Sequence, residues 1–211
     1  MAQKSSRSKI FYKYRALEPW EYFLDVLVNN RLYAATFETL NDPMEGMFTY
    51  AKDQVSPGFI QRMVEKQSQL RICSLSNIYN SSLMWSYYSN AHKGVILGVE
   101  VDENHKDVIE VARVRYAKNI SFRGYFGSDP EIDARSILSK KLSAWKHERE
   151  FRVFSRSQYV PVRMRQLFLG CKMPGKQQTL IKRFLRKMKS EVEVNQMKRE
   201  DLDAQERADM F

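Results

Sequence analysis

From Gly94 to Val101 the chain reads Gly-Val-Ile-Leu-Gly-Val-Glu-Val, apolar at successive rather than alternating positions. A strand projects neighbouring side chains to opposite faces, so such a run is stable only where both faces are covered, in the interior of a sheet. The chain must therefore set other strands beside this one and pack further layers over them. Its 211 residues, 43% of them hydrophobic, are enough for one such core. Apolar runs of a few residues fall far short of a membrane span, and the N-terminal MAQKSSRSK lacks the apolar stretch of a secretion signal. These features point to the cytoplasm. Cys73 and Cys171 are too few for a disulfide scaffold and read as buried thiols.

The pattern on either side alternates strands and helices irregularly. Residues 1–9 are polar and basic and are expected to be disordered, and order begins at Ile10, where IFYKYRAL reads as a strand. Glu18-Pro19 opens a helix with Trp20, Phe23, Leu24 and Leu27 at helical spacing, and Asn29-Asn30 closes it. Arg31 to Phe37 reads as a strand, ended by the turn chemistry of Asn41-Asp42-Pro43. Ser56-Pro57 starts a helix to about Gln69. Leu70 to Ser76 is a strand, Ser81-Ser82 caps a short helix, and Val108 to Tyr116 is a further strand. A helix begun at Asp129-Pro130 is predicted to bury Leu138, Leu142 and Trp145. Glu148 to Phe154 and Arg165 to Leu169 are strands. A basic helix over about 176–189, a last strand near Val192 to Met197 and an acidic tail over 199–211 complete the chain. This order, without regular βα repeats, predicts an α+β class: one domain over 10–198 with mixed sheets flanked by helices.

The net charge of +10 is concentrated in one stretch. Residues 151–190 contain no acidic side chain but hold Arg152, Arg156, Arg163, Arg165, Lys172, Lys176, Lys182, Arg183, Arg186, Lys187 and Lys189, and the rest of the chain has 24 basic against 25 acidic residues. A one-sided cationic segment suits a polyanion such as nucleic acid, although a solubilising surface has the same composition. In LIKRFLRKMK, Lys182, Arg183, Arg186 and Lys187 fall opposite an apolar stripe of Leu180, Ile181, Phe184, Leu185 and Met188, as in an amphipathic helix.

Many enzyme classes are excluded by what is missing. The sequence has no GxGxxG, phosphate loop, HExxH or GxSxG, and its three histidines, His92, His105 and His147, are scattered, so no metal is expected. Three clusters could carry chemistry. In Trp145-Lys146-His147-Glu148-Arg149-Glu150-Phe151-Arg152 a strand would place Glu148 and Glu150 about 7 Å apart on one face, with Arg152 beside them. Such a pair can act as a base or stabilise a developing cation, and it can equally be a solvated face of alternating charge. Trp85, Tyr88 and His92 gather aromatic rings just before the central strand, either as core or as a platform for a flat heterocycle. On the first strand, alternation sets Tyr12 with Tyr14 and Lys13 with Arg15.

Taken in order, Tyr12-Lys13-Tyr14-Arg15, Asn41-Asp42-Pro43 with Glu45, Met84-Trp85 with Tyr88, His92-Lys93-Gly94, and Trp145 with Glu148, Glu150 and Arg152 resemble the recurrent pattern of the bacterial domain-of-unknown-function family two-nine-seven-one. Tyr87 departs from it, standing where the family pattern has histidine. That family's layout is in turn similar to the ADP-ribosyltransferase fold of nucleic-acid-modifying toxins. The resemblance implies an NAD-dependent ADP-ribosyltransferase acting on RNA or DNA in a bacterial toxin or phage-defence setting. It further implies Glu150 at the ribose 2′-hydroxyl and the oxocarbenium ion, with Glu148 positioning or deprotonating the acceptor. Tyr12, Tyr14, Arg15, Trp85, Tyr88 and His92 would form the NAD contacts, with Tyr88 stacked on nicotinamide. Arg152, Lys182, Arg183, Arg186 and Lys187 would hold the acceptor's phosphates. The alternative is a non-enzymatic nucleic-acid-binding or protein-interaction module, and a cognate inhibitor protein would be a further partner.

Overall fold

The computed structural model describes residues 9–122 and 129–202. The expected disorder of 1–9, apart from Lys9, and most of the acidic tail therefore lie outside the described residues. The early strands are β1 (Phe11–Arg15), β2 (Arg31–Tyr33), β3 (Thr49–Tyr50), β4 (Arg71–Ser76), β5 (Val95–Val101) and β6 (Val108–Arg113). The later ones are β7 (Arg115–Ala117), β8 (Ser121–Phe122), β9 (Lys140–Leu142), β10 (Glu150–Ser155), β11 (Tyr159–Leu169) and β12 (Glu193–Gln196). The helices are α1 (Trp20–Asn29), α2 (Pro57–Gln69), α3 (Ser82–Tyr88), α4 (Pro130–Leu138) and α5 (Gly175–Lys187). The class is α+β, with mostly antiparallel pairing and flanking helices.

The chain divides into two compact units, one of residues 1–31, 75–102 and 161–211, the other of 32–74 and 103–160. In the first unit β5 lies between β11 and β1, antiparallel to both, as its continuous apolar run requires. Val95, Ile96, Leu97 and Val99 are inaccessible to solvent. β12 extends this sheet parallel to β11, and α5 is the crossover that a parallel pair needs. Tyr14, Met84, Trp85, Ile96, Phe168 and Met197 form an aromatic-rich core.

The second unit pairs β10 antiparallel with β6, beside the part of β4 that belongs to it. Its core joins Met63, Leu70, Ile72, Phe122, Ile137, Leu138 and Phe154. α2 begins at the expected place, with Pro57 in its first turn and the Ser56 hydroxyl accepting the Phe59 amide hydrogen bond at 3.3 Å. α4 ends at Leu138 instead of running on through Trp145. Lys140–Leu142 pairs with β7 instead, Tyr116 opposite Lys141, and a 3₁₀ turn over Ser143–Glu148 follows. Local spacing alone could not show that pairing, because its partner lies some 25 residues upstream.

Candidate functional site

The WxxExExR segment leads to a buried ionic network in the second unit. Glu148 does not lie on the strand, as alternation predicted. It closes the 3₁₀ turn, Arg149 takes a left-handed backbone with φ 45°, and β10 starts at Glu150. The left-handed residue returns both glutamates to one site, where each is only 4% exposed. The solvated-face reading is therefore corrected: these carboxylates are interior.

Arg152, with no solvent exposure, organises the network. Its Nε donates to Glu150 Oε1 at 2.9 Å and its Nη2 to Glu150 Oε2 at 3.1 Å. The other edge of the guanidinium grips Glu45, with Nη2 to Oε1 at 2.6 Å and Nη1 to Oε2 at 2.8 Å, and Nη1 also donates to the Leu138 carbonyl. All five guanidinium hydrogens are thereby used. Lys141 donates to Glu148 at 2.6 Å and Glu150 at 3.3 Å, lies 3.5 Å from Glu45, and sits 4.8 Å from the centre of the Trp145 ring. The Glu150 amide donates to the Tyr116 hydroxyl at 2.8 Å.

In these contacts three carboxylates meet two cations. Burial pushes the Glu150 carboxyl up, but the opposing charges of Arg152 and Lys141 outweigh it and hold the group at about 2, well below its ordinary value. Lys141, although burial opposes its charge, is raised by Glu150 and Glu148. Burial raises the Tyr116 hydroxyl, and the Glu150 and Glu148 charges add to that.

Three members of this network were missed as site residues from sequence: Glu45, Lys141 and Tyr116. Glu45 had a signal, since it belongs to the NDPxE turn. There Asp42 accepts the Met44 amide hydrogen bond at 3.0 Å and the Glu45 amide donates to the Asp42 carbonyl. Gly46 follows with φ 73°, and a Cβ there would meet the Phe37 ring at 2.9 Å. The turn aims Glu45 inward, and a buried arginine beside one glutamate needs a second.

Arg152 must be reassigned. It was expected to hold phosphates, but a guanidinium with no exposed surface and all its hydrogens committed to protein oxygens is beyond their reach. The aromatic set lies in the first unit and is largely structural. Trp85 is fully buried and its indole N–H donates to the Tyr79 carbonyl at 2.8 Å, so it is core and not a stacking platform. Tyr14 is buried and donates to the Ile78 carbonyl at 3.1 Å. Together these two side chains pin the loop that precedes α3. Tyr12 and Tyr88 are half-buried against the same core. Arg15 donates to the Ala16 and Tyr22 carbonyls. His92 is buried, its ring parallel to Trp85. It ends a left-handed run with Asn90 and Ala91 that turns the chain into β5. Among the described residues no group of His, Cys, Asp and Glu is arranged to hold a metal ion, and both cysteines are free thiols.

The basic helix forms the other candidate surface. In α5 only Ile181 and Leu185 are buried, while Lys176, Lys182, Arg183, Arg186 and Lys187 are exposed. None of these five is within ion-pair distance of a carboxylate among the described residues. Cations elsewhere do pair: Arg31 with Asp25, Arg135 with Glu110 and Glu131, Arg165 with Glu100. No helix of the described residues is long and apolar enough to cross a membrane. Comparison with family models, with curated proteins and with solved structures returned no match. The family resemblance therefore rests on its motifs.

Proposed function

We propose that this chain binds nucleic acid in the cytoplasm through the sugar-phosphate backbone, with α5 as the contact element. The observation that carries the proposal is the set of five exposed cations on an acid-free helix, none paired with a carboxylate among the described residues. A phosphate that replaces the solvent around such a cation releases condensed counterions. If all five contact phosphates, raising salt from 50 to 200 mM should weaken binding by about 10²- to 10³-fold. Changing Lys182, Arg183, Arg186 and Lys187 together to alanine should flatten the log-log salt slope by about four units. Salt-independent binding, or a slope unchanged in the quadruple variant, would reduce α5 to a solubilising surface.

A second reading, ADP-ribosyl transfer from NAD as the family resemblance implies, is favoured by the charge of the buried network. Breaking the nicotinamide–ribose bond leaves an oxocarbenium ion, and Glu150, ionised at neutral pH, would complement that charge once its carboxylate, 4% exposed and held by Arg152, is opened to the substrate. Calorimetric titration of the chain with NAD tests it, with nicotinamide release in the presence of DNA or RNA as the second readout. An active enzyme gives heat and product, the product being lost in Glu150→Gln; the absence of both in the parent chain removes the reading.

A further inference from the structure

We infer that α5 engages double-stranded DNA, lying along the major groove with a row of cations to the phosphates of each strand. The inference rests on the nucleic-acid reading above and narrows its partner. At 100° per residue, Lys182 and Arg186 form one row and Lys176, Arg183 and Lys187 a second, the two about 100° apart around the helix. Ile181 and Leu185, on the far side, are spent in the core. Between the rows stands Thr179, small and exposed. From Lys176 to Lys187 the rows extend over about 16 Å of helix.

This arrangement discriminates among polyanions. A single row would follow one strand, whereas two rows flanking a small residue match a helix seated between two phosphate backbones. B-DNA's major groove, about 12 Å wide, admits an α-helix, and the deep, narrow major groove of A-form RNA does not. Single strands are held by exposed aromatic rings on which bases stack. The only aromatic residue of α5, Phe184, is half-buried on the inner side. An anionic membrane would require a broad exposed apolar face, and here only Leu180 and, at the C-cap, Met188 are exposed apolar side chains. Base-edge readout is sparse as well. Gln177 and Gln178 are half-buried, and the Gln178 amide donates to the Met173 carbonyl at 2.9 Å. Binding should therefore be nearly indifferent to DNA sequence.

The test is equilibrium binding of the full chain to one sequence prepared as duplex DNA, single-stranded DNA and duplex RNA, over a salt series. Duplex DNA should bind about tenfold or more tighter than either competitor, with a log-log slope of about −4 to −5. The pairs Lys182→Ala with Arg186→Ala, and Lys176→Ala with Arg183→Ala, should each flatten that slope by about two units without altering the melting temperature, because all four side chains are exposed. Equal or tighter binding of the single strand or the RNA duplex overturns the inference while leaving the nucleic-acid reading intact. A slope moved by one pair and not the other also overturns it, since only one row would then touch phosphate. Failure to bind any of the three overturns both.

Discussion

Arg152→Leu should lower unfolding stability by about 3–5 kcal/mol, a large fraction of what a protein of this size possesses. The leucine would leave Glu45 and Glu150 in the interior without the guanidinium that both of them bind. The Leu138 carbonyl would lose its donor too. The loss would measure an uncompensated buried charge rather than the net worth of the network, because desolvation consumes most of what a buried ion pair returns. Arg152→Lys should recover little, since one ammonium cannot serve two carboxylates bidentately. Arg156→Ala is the control. Its guanidinium pairs with Glu131 but is 64% exposed, so the change should cost about 1 kcal/mol or less. Acid gives an independent check. A carboxyl held at about 2 when folded and near 4.5 when unfolded contributes stability that is complete above about 4.5 and drains away as pH falls toward 2. Denaturant titrations from pH 7 to 3 should show that decline in the parent and a weaker one in Glu150→Gln. A loss below about 1 kcal/mol for Arg152→Leu would mean that the network opens to water.

What could be read from the sequence followed the range of the interaction. Features set by neighbours within a few residues were legible: the Ser56-Pro57 start of α2, the Ser81 cap of α3, the left-handed Asn30 after α1 and the central position of the Val95–Val101 strand. The buried face of α5 was legible only in part: Ile181 and Leu185 are buried at helical spacing, whereas Leu180 and Met188 of the expected stripe are exposed. Contacts made at a distance were not legible. Arg152 and Glu45 are 107 positions apart, and nothing local distinguishes a cation that faces solvent from one that faces two distant carboxylates. Composition therefore placed Arg152 with the basic helix, whereas the fold buries it in an ionic network of the second unit. The candidate site was half legible in consequence: Glu148 and Glu150 belong together as expected, but in an interior network and not on an open face. Trp85 and Tyr14 show the opposite confusion, because an indole N–H or a phenol that looks suited to a ligand can be satisfied by a loop carbonyl.

Gly170→Ala and Gly175→Ala should change stability in opposite directions, although they lie five residues apart in the same unit. A Cβ on Gly170 would stand 2.1 Å from the carbonyl oxygen of His92 and 3.0 Å from that of Gly94. Both obstacles are backbone, so neither can rotate away. They also belong to the hydrogen bonds that close this end of the sheet, Gly170 N–H to Gly94 and Lys172 N–H to His92, each 3.0 Å. On the other side, the Gly94 amide donates to the Ser89 carbonyl at 2.7 Å within the left-handed turn of Asn90, Ala91 and His92. Relief would require prising β11 from β5 where both are most buried. We expect a loss of about 3 kcal/mol or more, at or beyond the upper end of ordinary overpacking. Gly175, the first residue of α5, would place its new methyl in open space. The only large effect there is on the unfolded chain, which loses freedom, so Gly175→Ala should raise stability by about 0.4–1 kcal/mol. Urea unfolding of the two variants beside the parent measures both signs. A Gly170→Ala protein as stable as the parent would show that β5 and β11 can part at this end without cost. A Gly175→Ala protein that is more stable and still binds DNA with an unchanged salt slope would place the start of α5 in its helical conformation before any contact is made.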